Sequence, residues 1–433
     1  SLSTNPTATF TGTLGTTYVL RWTIANAPCT SSTDDVTITF NNNPTTANAG
    51  ADQTNLCGVT STTLAANTPT VGTGTWGIVS GAGGSFSLVT NPSATFTGTL
   101  GTTYVLRWTI ANAPCTSSAD DVTITFNNNP TTANAGADQT NLCGVTSTTL
   151  AANTPTVGTG TWSIVSGAGG SFSLATNPSS TFTGTLGTTY VLRWTIANAP
   201  CTSSTDDVTI TFNNNPTTAN AGVDQTNLCG VTSTTLAANT PTVGTGTWSI
   251  VSGAGGSFSL ATNPTATFTG TLGTTYVLRW TIANAPCVNS SDDMTITFGT
   301  NPTIANAGLN QNICANTTAL AANIPTSGNG LWSVISGTGL FSNASSPTST
   351  ISGLSIGANV LRWTISSGSC GSSFSDLTIF VEESPSVSQA GNNQLICGTS
   401  TNLAANAPLV GIGTWSKISG SGTVVSVNSP VSQ

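Results

Sequence analysis

Cysteine recurs along this chain on a fixed period, and that period limits what the chain can fold into more than any other feature. Cys29, Cys115, Cys201 and Cys287 stand 86 residues apart, and Cys57, Cys143 and Cys229 keep the same step. The step then shortens: 85 residues from Cys229 to Cys314, and 83 from Cys287 to Cys370 and from Cys314 to Cys397. A unit of this length is too long for one solenoid turn and suits a small domain joined to its neighbours by a short linker. Boundaries set at the Asn-Pro junctions give units 44–129, 130–215, 216–301 and a diverged 302–384. Residues 1–43 read as the back half of a unit and 385–433 as the front half of another, as in a window cut from a longer array.

Within a unit the hydrophobic pattern has period two. Tyr104, Leu106, Trp108 and Ile110 fall on one face of a run whose other face carries Val105, Arg107 and Thr109. Val122, Ile124 and Phe126 alternate with Asp121, Thr123 and Thr125, and Trp76 shares a face with Ile78. Gly-Thr-Gly, Ser-Gly-Ala-Gly-Gly and Asn-Pro lie between such runs and supply turn chemistry. No stretch has a helical period. About seven short strands in some 86 residues predict an all-β tandem array of small antiparallel Ig-like or PKD-like β-sandwiches.

Two tryptophans per unit, Trp76 with Trp108, Trp162 with Trp194, Trp248 with Trp280 and Trp332 with Trp363, are expected in the core between facing sheets. A sugar-binding platform of exposed rings is the alternative.

Composition narrows function. The 433 residues include 6 Lys or Arg, 14 Asp or Glu and no His, for a net charge of −8. So few charges exclude a nucleic-acid partner. Without imidazole, Ser-His and Cys-His catalysis and most zinc chemistry fall away, so an enzyme is the weakest reading. No run of about 18 apolar residues occurs to insert into a membrane, and no charged-then-apolar start marks a signal peptide.

The strings A-N-A-G-A-D-Q-T-N-L-C-G (Ala47–Gly58), T-L-A-A-N, G-T-G-T-W, T-F-T-G-T-L-G-T-T-Y-V-L-R-W-T-I and C-T-S-S-A-D-D-V-T-I-T-F carry a resemblance. They resemble the tandem Ig-like or PKD-like repeats of Bacteroidota cell-surface proteins, among them gliding-motility adhesins exported by the type IX secretion system. The W-D-F-G-D-G signature of typical PKD domains is absent, since Gly-Ile-Val-Ser-Gly follows Trp76. The resemblance implies extracellular display on a bacterial cell surface as a stalk or filament, and identifies no ligand.

The scarce charges have a pattern. Arg107 with Asp121, Arg193 with Asp207, Arg279 with Asp293 and Arg362 with Asp376 are expected to pair across adjacent strands and fix register. No cofactor is expected. Calcium is weighed because Asp52, Asp120 and Asp121 occur in one unit, but six to eight oxygens are needed and the fourth unit has Asn310 at the Asp52 position.

The cysteines form no Cys-x-x-Cys pair, and disulfides in an oxidising compartment are the default. Pairing within units is favoured: Cys57 with Cys115, Cys143 with Cys201, Cys229 with Cys287 and Cys314 with Cys370. The alternative joins Cys57 to Cys201 of the following unit, because an Ig-like topology puts the first turn and the last hairpin turn at opposite ends. Lys417 is the only lysine, so Lys-Asn isopeptide bonds cannot brace the repeats.

The expected function is a non-catalytic stalk segment of a giant surface adhesin, extending a tip for adhesion or gliding. Alternatives are a subunit of a multi-chain fibre and a repeated glycan-binding module. The expected partners are neighbouring repeats of the same chain, other copies packed laterally, and a surface or glycan ligand met by a tip domain.

Overall fold

The computed structural model describes residues 4–432, which form strands, turns and a single 3-10 turn at Gly368–Cys370. The chain separates into two compact units, Ser1–Asn214 and Asn215–Gln433.

The first unit opens with a hairpin of β1 (Thr16–Ile24) and β2 (Ser32–Phe40). A complete repeat follows: β3 (Gln53–Cys57), β4 (Ser61–Thr63), β5 (Thr73–Ser80), β6 (Ser85–Phe86), β7 (Thr95–Thr97), β8 (Thr102–Asn112) and β9 (Cys115–Asn127). One sheet has the order β3-β9-β8-β5 and the other β4-β7-β6. Period-two patterning places Tyr104, Leu106, Trp108, Ile110, Val122, Ile124 and Phe126 in the core, where Phe96 of β7 meets them from the other sheet.

The two tryptophans sit opposite each other on β5 and β8, with ring centroids 5.0 Å apart. Trp76 Nε1 donates to the Asn91 carbonyl at 3.1 Å, and Gly74 leaves room for the Trp108 indole, which is fully buried. Tyr104 closes the other end of the core, donating to Ala82 O at 2.8 Å and accepting from Thr99 N–H at 2.9 Å.

One pairing departs from an all-antiparallel sandwich. β3 lies parallel to β9, with Cys57 beside Asn127, while every other pairing in the repeat is antiparallel. The first and last strands of a repeat therefore run the same way. The chain enters at one pole of the sandwich and leaves at the other.

Gln139–Cys143 to Cys201–Asn213 repeats this arrangement in the first unit. In the second unit it recurs over Gln225–Cys229 to Ser290–Gly299 and over Gln311–Ile313 to Ser372–Val381. The last of these replaces Tyr104 by the buried Asn359, whose Oδ1 accepts from Thr338 N–H at 3.0 Å and whose Nδ2 donates to Ser355 O at 2.7 Å.

The half repeats show how the layers depend on each other. The β1-β2 hairpin keeps its ladder but has no opposing sheet among the described residues, and Trp22 is 41% exposed where Trp108 is 0%. Residues 385–432 hold no strand, whereas in the complete repeats β3 and β5 find their partners in the β8-β9 hairpin.

Candidate functional site: the stapled junction between repeats

The two cysteines of a repeat are fixed at opposite poles. Cys57 ends β3 beside the last residue of β9, whereas Cys115 begins β9, thirteen residues long. At about 3.3 Å per residue the two lie roughly 40 Å apart, far beyond the reach of a disulfide. Pairing within a unit is thus ruled out by the strand that separates its two ends.

The structure pairs consecutive repeats instead. Cys57 is bonded to Cys201 with a Cα–Cα distance of 5.6 Å, and Cys229 to Cys370 with 5.4 Å. This overturns the four expected pairs: Cys115 and Cys314 are thiols, and Cys143 and Cys287 are disulfide-bonded but not to Cys201 or Cys229. The rule is that the cysteine at the exit pole of one repeat meets the hairpin tip at the entry pole of the next. Cys29, Cys115, Cys314 and Cys397 are the thiols, and none has a complementary cysteine within the sequence at the separations of 144 and 141 residues that the staples span.

A polar tether accompanies each staple. Asn198 Nδ2, beside the tip that carries Cys201, donates to Asn128 O in the linker at 2.7 Å. Asn112 does the same to Asn42 O at 2.8 Å, at a junction whose tip cysteine, Cys115, is a thiol, so the tether forms without a staple as well. In the second unit Ser367 Oγ donates to Thr300 O at 2.7 Å. The tips differ as well: an Ala-Pro turn with a cis bond precedes Cys201, and the 3-10 turn carries Cys370. Gly299 stands where the first repeat has Asn127, and a Cβ on it would lie 2.3 Å from Cys370 Sγ. Tip and linker have changed together at this junction.

These asparagines escape a reading of the sequence because Asn beside Ala-Pro already has a reading as turn chemistry. Their recurrence at Asn112 and Asn198, three residues before each tip cysteine, is the signal that was available.

The carboxylates serve the backbone and the arginines. Asp120 Oδ2 accepts from Ala49 N–H at 2.8 Å and Asp52 Oδ1 from Thr123 N–H at 2.8 Å, fastening the entering chain to β9. Asn310 keeps that acceptor for Thr378 N–H, which explains why an amide suffices there.

Asp121 takes two bonds from Arg107, at 2.7 and 2.8 Å, and the two are register partners on β8 and β9. Arg193 with Asp207, Arg279 with Asp293 and Arg362 with Asp376 repeat the geometry, as does Arg21 with Asp35. The guanidinium's hydrogen bonds hold each of these carboxyls below its ordinary range, against a smaller opposing effect of burial. The Trp162, Trp194, Trp248, Trp280, Trp332 and Trp363 rings are buried like Trp76 and Trp108.

Clefts gather around Trp415, lined by Pro385, Pro408, Val410 and Pro430. Trp415 N–H bonds Val427 O as Trp76 N–H bonds Val89 O, so this space is the place the β8-β9 hairpin fills in a complete repeat. It is open core.

No protein-family model matches the sequence, and no curated protein matches it. Solved structures similar to it include protocadherin gamma B2 extracellular cadherin domains 3–6, at 11% identity and a TM-score of 0.27, covering 79% of this chain and 100% of that one. The insect immune protein hemolin matches at 10% identity and a TM-score of 0.26 over 78% of this chain and 100% of its own. Sidekick-1 immunoglobulin domains 1–4 match at 10% identity and 0.28 over 79% and 99%. Likeness at this level carries no inference about what the chain does.

Proposed function

We propose that this chain is a non-catalytic segment of an extracellular stalk, built from Ig-like domains at 44–129, 130–215, 216–301 and 302–384, that holds a distal part away from the cell. The observation that carries this reading is the staple between consecutive repeats. A disulfide persists in an oxidising compartment, and one that joins domains stiffens an array while adding nothing to any single domain's chemistry. Near-identity of successive units supports the same reading, since repetition adds length without a new site.

The resemblance to Bacteroidota surface repeats extends the proposal to a bacterial adhesin, exported by type IX secretion and used in adhesion or gliding, with a surface or glycan ligand met at its tip. Electron microscopy of the material shed from its native cells tests it. Beaded threads one domain wide are expected, at roughly 35 Å per bead for domains of this size. A thicker fibre with helical symmetry would instead make the repeats an assembly interface between chains.

A further inference from the structure

We propose that the staples carry tension past the β-sandwiches, so that the array acts as a tether of fixed length whose limit is set by its oxidation state. The inference goes beyond the stalk reading and holds whatever the array displays, whether as a single thread or within a fibre.

The argument follows covalent bonds. A pull applied along the chain reaches Cys57, crosses to Cys201, follows the backbone to Cys229 and crosses to Cys370. The staples enclose separations of 144 and 141 residues, and only the stretch from Cys201 to Cys229 lies between them. Most of that stretch is strand. Cys201–Asn213 is a strand of thirteen residues and Gln225–Cys229 a strand of five, and no helix or turn interrupts the linker between them. A strand rises about 3.2–3.4 Å per residue, within a few tenths of the roughly 3.3–3.6 Å that a fully drawn chain reaches. Pulling finds almost no slack in these two strands, and the eleven residues between them are all that it can straighten.

A sandwich without staples would behave differently. Unravelling some 86 residues yields about 300 Å. Here β4 to β8, and their counterparts in the next repeat, fall inside a closed covalent ring, so their loss lengthens nothing between Cys57 and Cys201. Reduction opens the ring. Each disulfide takes two electrons and two protons from a dithiol, which leaves as its cyclic disulfide, and the two cysteines become thiols. Residues 58–200 and 230–369 then enter the load path.

The test pulls the whole chain between handles at its two ends in an optical trap, first without reductant and then with dithiothreitol. Reduction is expected to raise the fully drawn length by about 1,000 Å, at roughly 3.5 Å for each of the 144 and 141 residues enclosed. The double variant Cys57→Ser, Cys229→Ser, pulled without reductant, is expected to exceed the oxidised limit by several hundred Å. An oxidised chain that draws out as far as the reduced one overturns the proposal, as does a double variant that keeps the oxidised limit.

Discussion

A Cβ placed on Gly74 would lie 2.0 Å from Cζ2 of Trp108, and the same collision recurs at Gly160, Gly246 and Gly330. Overpacking of this kind costs about 1–3 kcal/mol. In a Gly74→Ala chain, hydrogen exchange is expected to accelerate in β5 and β8 of the first complete repeat alone. The peptide spanning Trp76 and Gly77 reports on it, since the next two repeats carry Ser163 and Ser249 there. Charge acts more gently. The Arg107 bonds lower the folded-state pKa of Asp121, so the pair's contribution is complete above the ordinary carboxylate value near 4 and fades as pH falls through the depressed one. An Arg107→Ala chain should therefore melt slightly below the parent above the ordinary carboxylate range and converge with it as pH falls through the depressed value. Thermal unfolding followed across that pH range checks it. The effect stays small because both side chains remain well exposed, at 48% and 39%.

At the scale of strands, period-two alternation in β8 and β9 makes their positions and their buried faces legible from the residues alone, down to the pairing of Arg107 with the second aspartate. The direction of β3 is not legible, because Gln-Thr-Asn-Leu-Cys is too short and too polar to show which neighbour it will join or which way it runs. The choice between pairing partners for Cys57 depends on that direction, so the favoured pairing failed on a strand rather than on the cysteines. Layering is the other lesson. A hairpin that holds its own ladder still leaves Trp22 open, since only the opposing sheet covers the ring. Oxidation of the intact chain with N-bromosuccinimide, followed by peptide mapping, should modify Trp22 ahead of Trp108, Trp194, Trp280 and Trp363. Modification of those four at the same rate would contradict the packing described.

For the molecule as a whole, the staple rule makes a definite forecast about connectivity. Non-reducing peptide mapping should recover Cys57 linked to Cys201 and Cys229 linked to Cys370, with Cys115 and Cys314 alkylated before any reduction. A chain lacking residues 130–215 tests the rule more sharply, because Cys57 then faces the tip of the third complete repeat and should form its bond with Cys287. The parallel first and last strands give this a wider meaning. Repeats 44–129 and 130–215 present the same exit and accept the same entry, so one of them lost or gained in register leaves no junction unmatched. Genes that encode near-identical tandem units misalign readily when they recombine. A fold with interchangeable ends lets such slips alter the reach of the protein while every cysteine between them still finds a partner.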